Sequence, residues 1–231
     1  MSEFDHWGKS LPSKPIVNRD EFILERCAGR SVAHLGACDS PMTRDKAEKG
    51  TLLHQALRRR ARSVTGYDHD GPSIRLLAAE FGIDDILELD LAAEGPRAMQ
   101  PSEVVVCADI IEHVNSVGNL LLVCDELLEE GGEVVISTIN ALSMKQSMRA
   151  ALRREPVHPD HIAYFSFGTL GALLGRFGFE LIDFRTFAYP TVSKRSGIFF
   201  GGVYRLFPQC ADGIIAVARK VESPLGSGAQ P

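Results

Sequence analysis

Two carboxylates and several imidazoles are spaced so that they could share one site. Asp109, Glu112 and His113 stand at i, i+3 and i+4, which would place them on one face if the segment were helical. Adding His158 or His161 gives two carboxylates and two imidazoles, a set that suits a divalent metal. An imidazole with its ordinary pKa of about 6.5 also suits a general base, so His113 is a candidate for that role. The alternatives are a positioning role for His113 and an ordinary hydrogen-bonded loop histidine for His161.

The elements that must position these residues alternate through the middle of the chain. Short β-rich runs cover residues 31–35, 63–67, 86–89, 104–108 and 133–138, and helical periods cover about 51–61, about 72–81 and a segment that begins after Ser116. This alternation predicts an α/β fold with a doubly wound, mostly parallel sheet and helices on both faces. In such sheets a ligand binds beyond the carboxyl ends of the strands, so residues there are the candidates for a binding site.

Three of these strand ends carry residues that suit a nucleoside. Gly36 lets a ligand approach the backbone closely, although an ordinary strand-to-helix turn would also use it. Asp68 can accept both hydroxyls of a ribose, whereas Asp70 is better placed to cap the next helix. Asp90 can accept from an adenine amine while the backbone N–H of Leu91 meets a ring nitrogen, but a turn aspartate would look the same.

The last third of the chain predicts a change in strand direction. A helix over about 167–177 leads to a strand at 179–184, and a loop or short helix over 197–207 precedes a final strand at 213–218. Because no clear crossover helix joins these two strands, one of them is expected to run antiparallel. We expect an N-terminal segment or lid over the active site at 1–27, one domain at 28–220 and a disordered tail at 221–231.

Composition limits the classes of partner. The chain has 231 residues, 45% of them hydrophobic, and a formal net charge of −5, which fits one ordinary domain and gives no support for nucleic-acid binding. No apolar run is long enough to span a membrane, and no membrane partner is expected. The five cysteines include no C-x-x-C pair, which is typical of a reducing compartment, so we expect a cytoplasmic location. The oligomeric state stays open, with a homodimer among the alternatives.

Four passages together resemble one known family. Residues 107–114, C-A-D-I-I-E-H-V, resemble the "(D/E)-x-x-E-H-V" segment of class I S-adenosylmethionine-dependent methyltransferases of the broad small-molecule type. Residues 127–140 look like the family's "L-(K)-P-G-G-x-(L/V)-x-(I/V)-S-T-P-N" passage, and residues 158–170 are similar to its "H-x-x-H-x-x-x-(F/Y)-(S/T)-x-x-x-L" passage. Gly178-Phe179-Glu180 matches its "G-F-(E)". The agreement runs from Cys27 to Phe187 in the right order.

The resemblance implies a fold, a cofactor and a reaction. It implies a seven-stranded sheet with the last strand antiparallel, and transfer of a methyl group from S-adenosylmethionine to a small-molecule acceptor, on oxygen in preference to nitrogen or carbon, releasing S-adenosylhomocysteine. The implied cofactor-binding residues are Gly36, Asp39, Asp68, Asp90, Leu91 and Asp109. The implied catalytic residues are His113 and His161. We expect no metal; the less favoured alternative is a divalent ion on Asp109, Glu112, His113 and His161.

The first motif departs from the family pattern "D-x-G-x-G-x-G". His34 replaces the acid, and Cys38 and Ser40 replace the later glycines, so the contact with the amino-acid end of the cofactor must be remodelled. This departure keeps open an inactive scaffold or regulatory domain that binds the cofactor. A nicotinamide-dependent oxidoreductase is less favoured, because its usual G-x-G-x-x-G loop and Tyr-x-x-x-Lys pattern are both missing.

The acceptor pocket is expected to draw on Phe4, Trp7 and Arg19, on residues 140–156 and on residues 189–204. Within the second of these segments, the spacing of Met144, Met148 and Leu152 predicts a packed helix face. The cations Lys145, Arg149, Arg153 and Arg154 on the same segment could meet an anionic acceptor, although a solvated face is the safer interpretation.

Overall fold

The computed structural model describes residues 9–91, 99–190 and 194–221. The strands are β1 (Ser31–Leu35), β2 (Ser63–Asp68), β3 (Ile86–Glu88), β4 (Ser102–Ala108), β5 (Leu128–Ile139), β6 (Phe179–Phe187) and β7 (Gly213–Lys220). The helices are α1 (Arg19–Cys27), α2 (Thr43–Glu48), α3 (Leu53–Arg60), α4 (Gly71–Phe81), α5 (Val117–Glu126), α6 (Met144–Ala151), α7 (Phe167–Arg176) and α8 (Lys194–Leu206).

All seven strands form one sheet in the order β3-β2-β1-β4-β5-β7-β6. Strands β1 to β5 pair in parallel, and β7 runs antiparallel to both β5 and β6. The predicted fold class is therefore confirmed, including the antiparallel last strand. The strand order reverses between β1 and β4, so the carboxyl ends of these two strands flank the crevice where such sheets bind ligands.

Both faces of the sheet are buried under helices. Val104, Val105, Val106 and Cys107 of β4 are all fully buried, as the continuous apolar run predicts. Alternate residues of the strand point to opposite faces, so Val105 packs with the cluster under α5 and α7, and Val106 packs with the cluster under α1 and α3. Strand β4 is therefore a central strand of the sheet, with helices covering both of its faces.

Local signals set the ends of the helices that follow β2 and β4. The Asp70 side chain accepts from the Ser73 N–H at the start of α4, and Gly82, at φ +63°, ends that helix. The Ser116 side chain accepts from the Asn119 N–H at the start of α5. All three assignments are confirmed, so Asp70 caps α4 and Asp68 is left for another role.

Several boundaries differ from the sequence-based expectation. The prediction of a strand starting at Glu133 is wrong, because β5 begins at Leu128 and pairs with β4 at Ser102 before a shift in register. Helix α2 forms between β1 and α3, where no element is predicted, and 197–207 lies largely within the thirteen-residue helix α8. Helix α1 was not predicted; it buries Ile23, Leu24 and Cys27 in the core.

Three other expectations concern regions or properties outside the sheet. Phe4, Trp7 and almost all of the tail at 221–231 lie outside the described residues. No helix in the described ranges is long and apolar enough to cross a membrane. The five cysteines are free thiols, and four of them are buried.

Candidate active site

The exits of β1 and β4 touch each other at Gly36. This residue has φ +70°, and a Cβ added there would lie 2.1 Å from Cδ1 of Ile110, the second residue after β4. Its N–H donates to the Tyr67 carbonyl at 2.8 Å. Glycine is thus required both by the left-handed backbone and by the close approach of the β4 exit.

Asp68 braces the loop after β1 from the end of β2. Its buried carboxylate accepts from the Cys38 N–H at 2.9 Å through Oδ2 and from the Asp70 N–H at 3.0 Å through Oδ1. A carboxylate offers about four lone-pair sites, so each oxygen retains capacity to accept a ligand hydroxyl. The exits of β1, β2 and β4 therefore form one connected edge.

The other residues predicted to bind the cofactor lie around this edge, and they differ in their contacts with the rest of the chain. Asp39 has φ +60° and is exposed, where it pairs with Lys46. Asp90 and Leu91 follow β3, and the Leu91 carbonyl accepts from the side-chain amide of Asn119. Their roles in binding the cofactor stay predictions, and the surface ion pair makes Asp39 the weakest of the set.

Asp109 is the point where four parts of the chain meet. It has φ +54°, and its carboxylate pairs with Arg19 of α1 through Oδ2. Its Oδ1 accepts from the Ser137 hydroxyl at 3.0 Å and from the Tyr189 hydroxyl at 3.4 Å. Burial raises the pKa of Tyr189, and the neighbouring Asp109 charge raises it further, so this phenol remains a hydrogen-bond donor.

The segment from Asp109 to His113 is a turn, so the conditional helical face does not form. Glu112 is buried and accepts from the Thr138 hydroxyl at 2.8 Å, whereas His113 is partly exposed. Burial, and secondarily the charge of Asp109, raises the pKa of Glu112 to about 7. The two carboxylates of the alternative metal set are therefore engaged with other residues. Asp109 pairs with Arg19, and Glu112 accepts a hydrogen bond from Thr138.

Three imidazoles do come together beside the β4 exit. The ring centroids of His113 and His161 lie 4.5 Å apart, and those of His158 and His161 lie 5.0 Å apart. One ring nitrogen from each of the three lies within 4.8 Å of the others, a donor set that suits a transition metal more than magnesium. His158 was considered only as an alternative to His161; the structure places both next to His113.

His161 has the features of a base that is ready to accept a proton. Its Nδ1 is buried and has no hydrogen-bond partner among the described residues. Burial, followed by the charges of His113 and His158, lowers its pKa, which favours the neutral imidazole. A neutral ring with an unpaired nitrogen can take a proton from a hydroxyl placed against it.

A buried relay occupies the position where the family pattern has an acid. Nδ1 of His34 lies 3.2 Å from Nδ1 of His54, and Nε2 of His54 lies 3.2 Å from Oδ1 of Asp85. Burial, followed by the charge of His54, holds the pKa of His34 well below its ordinary value. A neutral His34 therefore stands where the family pattern has the carboxylate, and the relay joins β1 to α3 and to the residue before β3.

A cavity of about 620 Å³ opens between α6 and the loop that leads to α7. Asn140, Gln146, Ala150, Arg153 and Tyr164 are among the residues that line it. Asn140 follows β5 directly, so the cavity adjoins the same edge of the sheet. It lies within the 140–156 segment that the sequence predicted for the acceptor, whereas Arg19 from that prediction is bound to Asp109 instead.

Comparison with known proteins identifies the family. A family model described as a methyltransferase domain matches residues 47–183, which is more than half of the chain. The chain belongs to the S-adenosylmethionine-dependent methyltransferases. The match covers the exits of β2 and β4 and the three clustered histidines, so this methyltransferase has its family signature in the part of the fold that carries the site.

Individual relatives are similar at low identity. A ubiquinone biosynthesis O-methyltransferase of Leptothrix cholodnii is 32% identical over 111 residues, which cover 46% of this chain and 47% of the relative. One from Cupriavidus pinatubonensis is 26% identical over 214 residues, 84% of this chain and 81% of the relative. The chain thus spans about half the length of the first of these. The crystal structure of an S-adenosylmethionine-dependent methyltransferase from Mesorhizobium loti has the same fold, with a TM-score of 0.56, 17% identity and coverage of 87% and 96% of the two chains.

Proposed function

We propose that the chain transfers a methyl group from S-adenosylmethionine to a hydroxyl of a small molecule. The observation that carries the proposal is the unpaired, buried Nδ1 of His161 next to His113, at the exit of β4. Family membership supports the cofactor, and the names of the O-methyltransferase relatives support an oxygen acceptor. Free buried thiols fit a reducing compartment and support a cytoplasmic location.

The strand ends fit the adenosyl cofactor in order. Asp68 at β2 would accept from the ribose hydroxyls, and Asp90 after β3 would meet the adenine. The rest of the cofactor would then extend over Gly36 toward the β4 exit, because β1 lies between β2 and β4. The sulfonium of the cofactor would supply an electrophilic methyl group, and His113 and His161 are the imidazoles beside the β4 exit that would act on its acceptor.

The chain contributes alignment and proton removal. The acceptor would lie in the cavity beside Asn140, and His161, which lies outside the lining of that cavity, would accept the proton of a hydroxyl that reaches its ring. When bound, the cofactor would supply its methyl group to the acceptor oxygen and leave as S-adenosylhomocysteine, and the imidazole of His161 would take up the hydroxyl proton. His113, which meets the ring of His161 edge-on, would hold that ring in place. Alignment and proton transfer of this kind account for large rate factors.

Activity and cofactor binding test the proposal separately. Labelled S-adenosylmethionine is incubated with phenolic, amine and carbon acceptors, and an O-methylated product is expected. His161→Asn should lower kcat about 10²- to 10⁴-fold, as expected for loss of a general base, while S-adenosylhomocysteine binds unchanged in calorimetry. Glu80→Gln, which alters a surface ion pair with Arg44, is the control and should keep full activity. Asp68→Ala should weaken S-adenosylhomocysteine binding.

Each alternative gives a different result. A protein that binds S-adenosylhomocysteine but methylates none of the acceptors would favour the inactive scaffold. Binding of NAD without binding of S-adenosylhomocysteine would favour the oxidoreductase. Equal loss of kcat for His161→Asn and Glu80→Gln would contradict the role given to His161.

A further inference from the structure

Helix α6 lies on the surface and forms one wall of the cavity that separates it from the loop leading to α7. None of its residues is buried; Met148 is 43% exposed, and Leu152, just after the helix, is 72% exposed. The prediction that these residues form a packed helix face is therefore wrong. Instead, Gln146, Ser147 and Ala150 line the cavity of about 620 Å³. The helix thus shapes a binding space and contributes no buried residue to the core.

The end of α6 places two arginines on the same cavity. The Arg154 N–H donates to the Arg149 carbonyl at 2.9 Å, and the Arg153 N–H donates to the Ala150 carbonyl at 2.8 Å. These two bonds form a Schellman motif, in which the position of Arg153 favours glycine because its backbone is left-handed. Arg153 has φ +57°, and both Arg153 and Arg154 line the cavity. The chain therefore carries an arginine side chain at a position where glycine would strain the backbone less.

The charges in the lining of this cavity are unbalanced. Arg153 and Arg154 form no ion pair and no side-chain hydrogen bond within the part of the chain that the structure describes. Glu155 also lines the cavity, near Tyr164. Burial, and secondarily the charge of Glu155, raises the pKa of Tyr164, so this phenol remains a hydrogen-bond donor. The lining therefore contains two cations and one carboxylate, and its phenol adds a donor.

The dipole of α6 does not explain all of the cations near its end. Cations close to the C-terminal end of a helix are favourable without any ligand, which accounts for Arg149 in the last turn. Lys145 is accounted for by its pairing with the buried Asp212 at 2.6 Å. Arg153 lies beyond the last turn, and its left-handed backbone costs more than the dipole provides to an exposed cation. A ligand outside the fold gives this side chain a reason to be there.

The cavity adjoins the loop that carries the proposed base. Tyr164, in the cavity lining, follows His161 in the same loop. The Ile162 N–H, between them, donates to the Glu112 carbonyl at 2.9 Å, which holds this loop against the turn after β4. An acceptor bound in the cavity therefore lies next to the segment from which His161 would take up its proton.

We propose that the methyl acceptor carries an anionic group, a carboxylate or a phosphate, and that Arg153 and Arg154 bind this group in the cavity. A guanidinium presents paired N–H donors whose geometry matches either oxyanion. The sequence alone favours a solvated face for these arginines, whereas their place in the cavity lining favours the anionic acceptor. The inference rests on the proposed methyl transfer and names the acceptor class of the same site. Arg153 and Arg154 then determine specificity, and His161 keeps its role as the base.

Matched acceptors test the requirement for charge. The para-hydroxyphenyl derivatives of acetate, propanoate and butanoate place the carboxylate at increasing distances from the hydroxyl, and each acid is compared with its primary amide in methyl transfer. For the best spacer we expect kcat/KM of the acid to exceed that of the amide at least about tenfold, and by less at high salt. Comparison of para-hydroxybenzylphosphonate with para-hydroxyphenylacetate distinguishes a phosphate site from a carboxylate site.

Two variants assign the effect to the arginines. Arg153→Gly and Arg154→Gln should each raise KM for the acid about tenfold to hundredfold, because a charge-assisted hydrogen bond is lost, while kcat and the use of the amide stay nearly unchanged. Arg153→Gly should also raise the midpoint of thermal unfolding by about 2 °C, since glycine relieves the left-handed backbone. Arg176→Gln is the matched control, because Arg176 is an exposed cation in the last turn of α7, and it should change neither acceptor's kinetics.

Other results would overturn the inference. Equal use of acid and amide at every spacer length would do so, as would equal losses for both in Arg153→Gly. Weaker binding of S-adenosylhomocysteine to both arginine variants would also do so, since the arginines would then serve the cofactor. If no acceptor is methylated, the proposed function fails, and calorimetry of acid and amide with the S-adenosylhomocysteine complex decides the inference separately. Acid binding that Arg153→Gly abolishes would support it, and equal binding of acid and amide would overturn it.

Discussion

Two buried titratable groups, His34 on β1 and Glu112 in the turn after β4, should give opposite slopes of stability against pH. Burial, followed by the charge of His54, lowers the pKa of His34, whose ordinary value is 6.5. Burial, followed by the charge of Asp109, raises the pKa of Glu112 from its ordinary 4.5 to about 7. In the folded chain between these ordinary values, His34 is neutral and Glu112 is protonated. The unfolded chain has the reverse state for both groups.

Because the folded and unfolded chains bind different numbers of protons at these two groups, the free energy of unfolding changes with pH. Below pH 6.5 the unfolded chain binds a proton at His34 that the folded chain does not, so stability falls by about 1.4 kcal/mol for each unit of decreasing pH. Above pH 4.5 the folded chain keeps a proton at Glu112 that the unfolded chain loses, so stability falls by about the same amount for each unit of increasing pH, until pH reaches about 7. The two contributions oppose each other between about pH 5 and 6.5.

Single substitutions should expose each slope. Relative to the parent, His34→Gln should lose about 2 kcal/mol of unfolding free energy as pH rises from about 5 to 6.5, and Glu112→Gln should gain about as much. The measurement is urea unfolding at several pH values in this range, with the difference from the parent taken at each. Thr51→Ser, at an exposed residue that does not titrate, is the control and should run parallel to the parent. Difference curves that stay flat for both His34→Gln and Glu112→Gln would refute the reasoning.

Two further predictions concern single contacts. Gly36→Ala should destabilise the fold by about 1–3 kcal/mol more than Gly29→Ala, because both positions have φ near +70° but only the first places a Cβ against Ile110, and urea unfolding measures the difference. Lys145→Met should cost about 3 kcal/mol, because it leaves Asp212 buried without its cation, and thermal unfolding should show that adding Asp212→Asn recovers part of the loss.

The sequence predicts most of the sheet because its signals there are local. The apolar run of β4 reflects burial on both sides, and Asp70, Gly82 and Ser116 mark helix ends through their own backbone contacts. The start of β5 was missed because it depends on pairing with Ser102, about 26 residues earlier in the chain, which no local pattern reports. Helix caps and buried strands can be predicted from neighbouring residues, whereas the pairing of strands that are distant in sequence can be seen only in the folded structure.

The candidate site likewise contains some residues that the sequence identifies and others that only the folded structure reveals. Gly36 and Asp68 could be identified because each sits at a strand end, which periodicity locates. The partners of Asp109 could not, because Arg19, Ser137 and Tyr189 reach it from three other elements. These partners also affect whether the site can hold a metal. The Asp109 carboxylate already pairs with the Arg19 guanidinium, so a metal ion there would have to displace the arginine.

The departure at His34 shows why a motif is best judged together with its surroundings. Read alone, the loss of the acid looks like decay of a binding loop. In the structure His34 is one end of a chain of contacts through His54 to Asp85. His54 lies 20 positions after His34, and Asp85 lies 31 positions after His54. If Asp85 accepts from Nε2–H of His54, then Nδ1 of His54 is the acceptor and His34 must donate from its own Nδ1. Under that assignment His34 carries its proton on Nδ1, and its Nε2 is the remaining acceptor. Decay of the loop alone does not account for a chain of contacts in which His54 is fully buried and Asp85 is partly exposed.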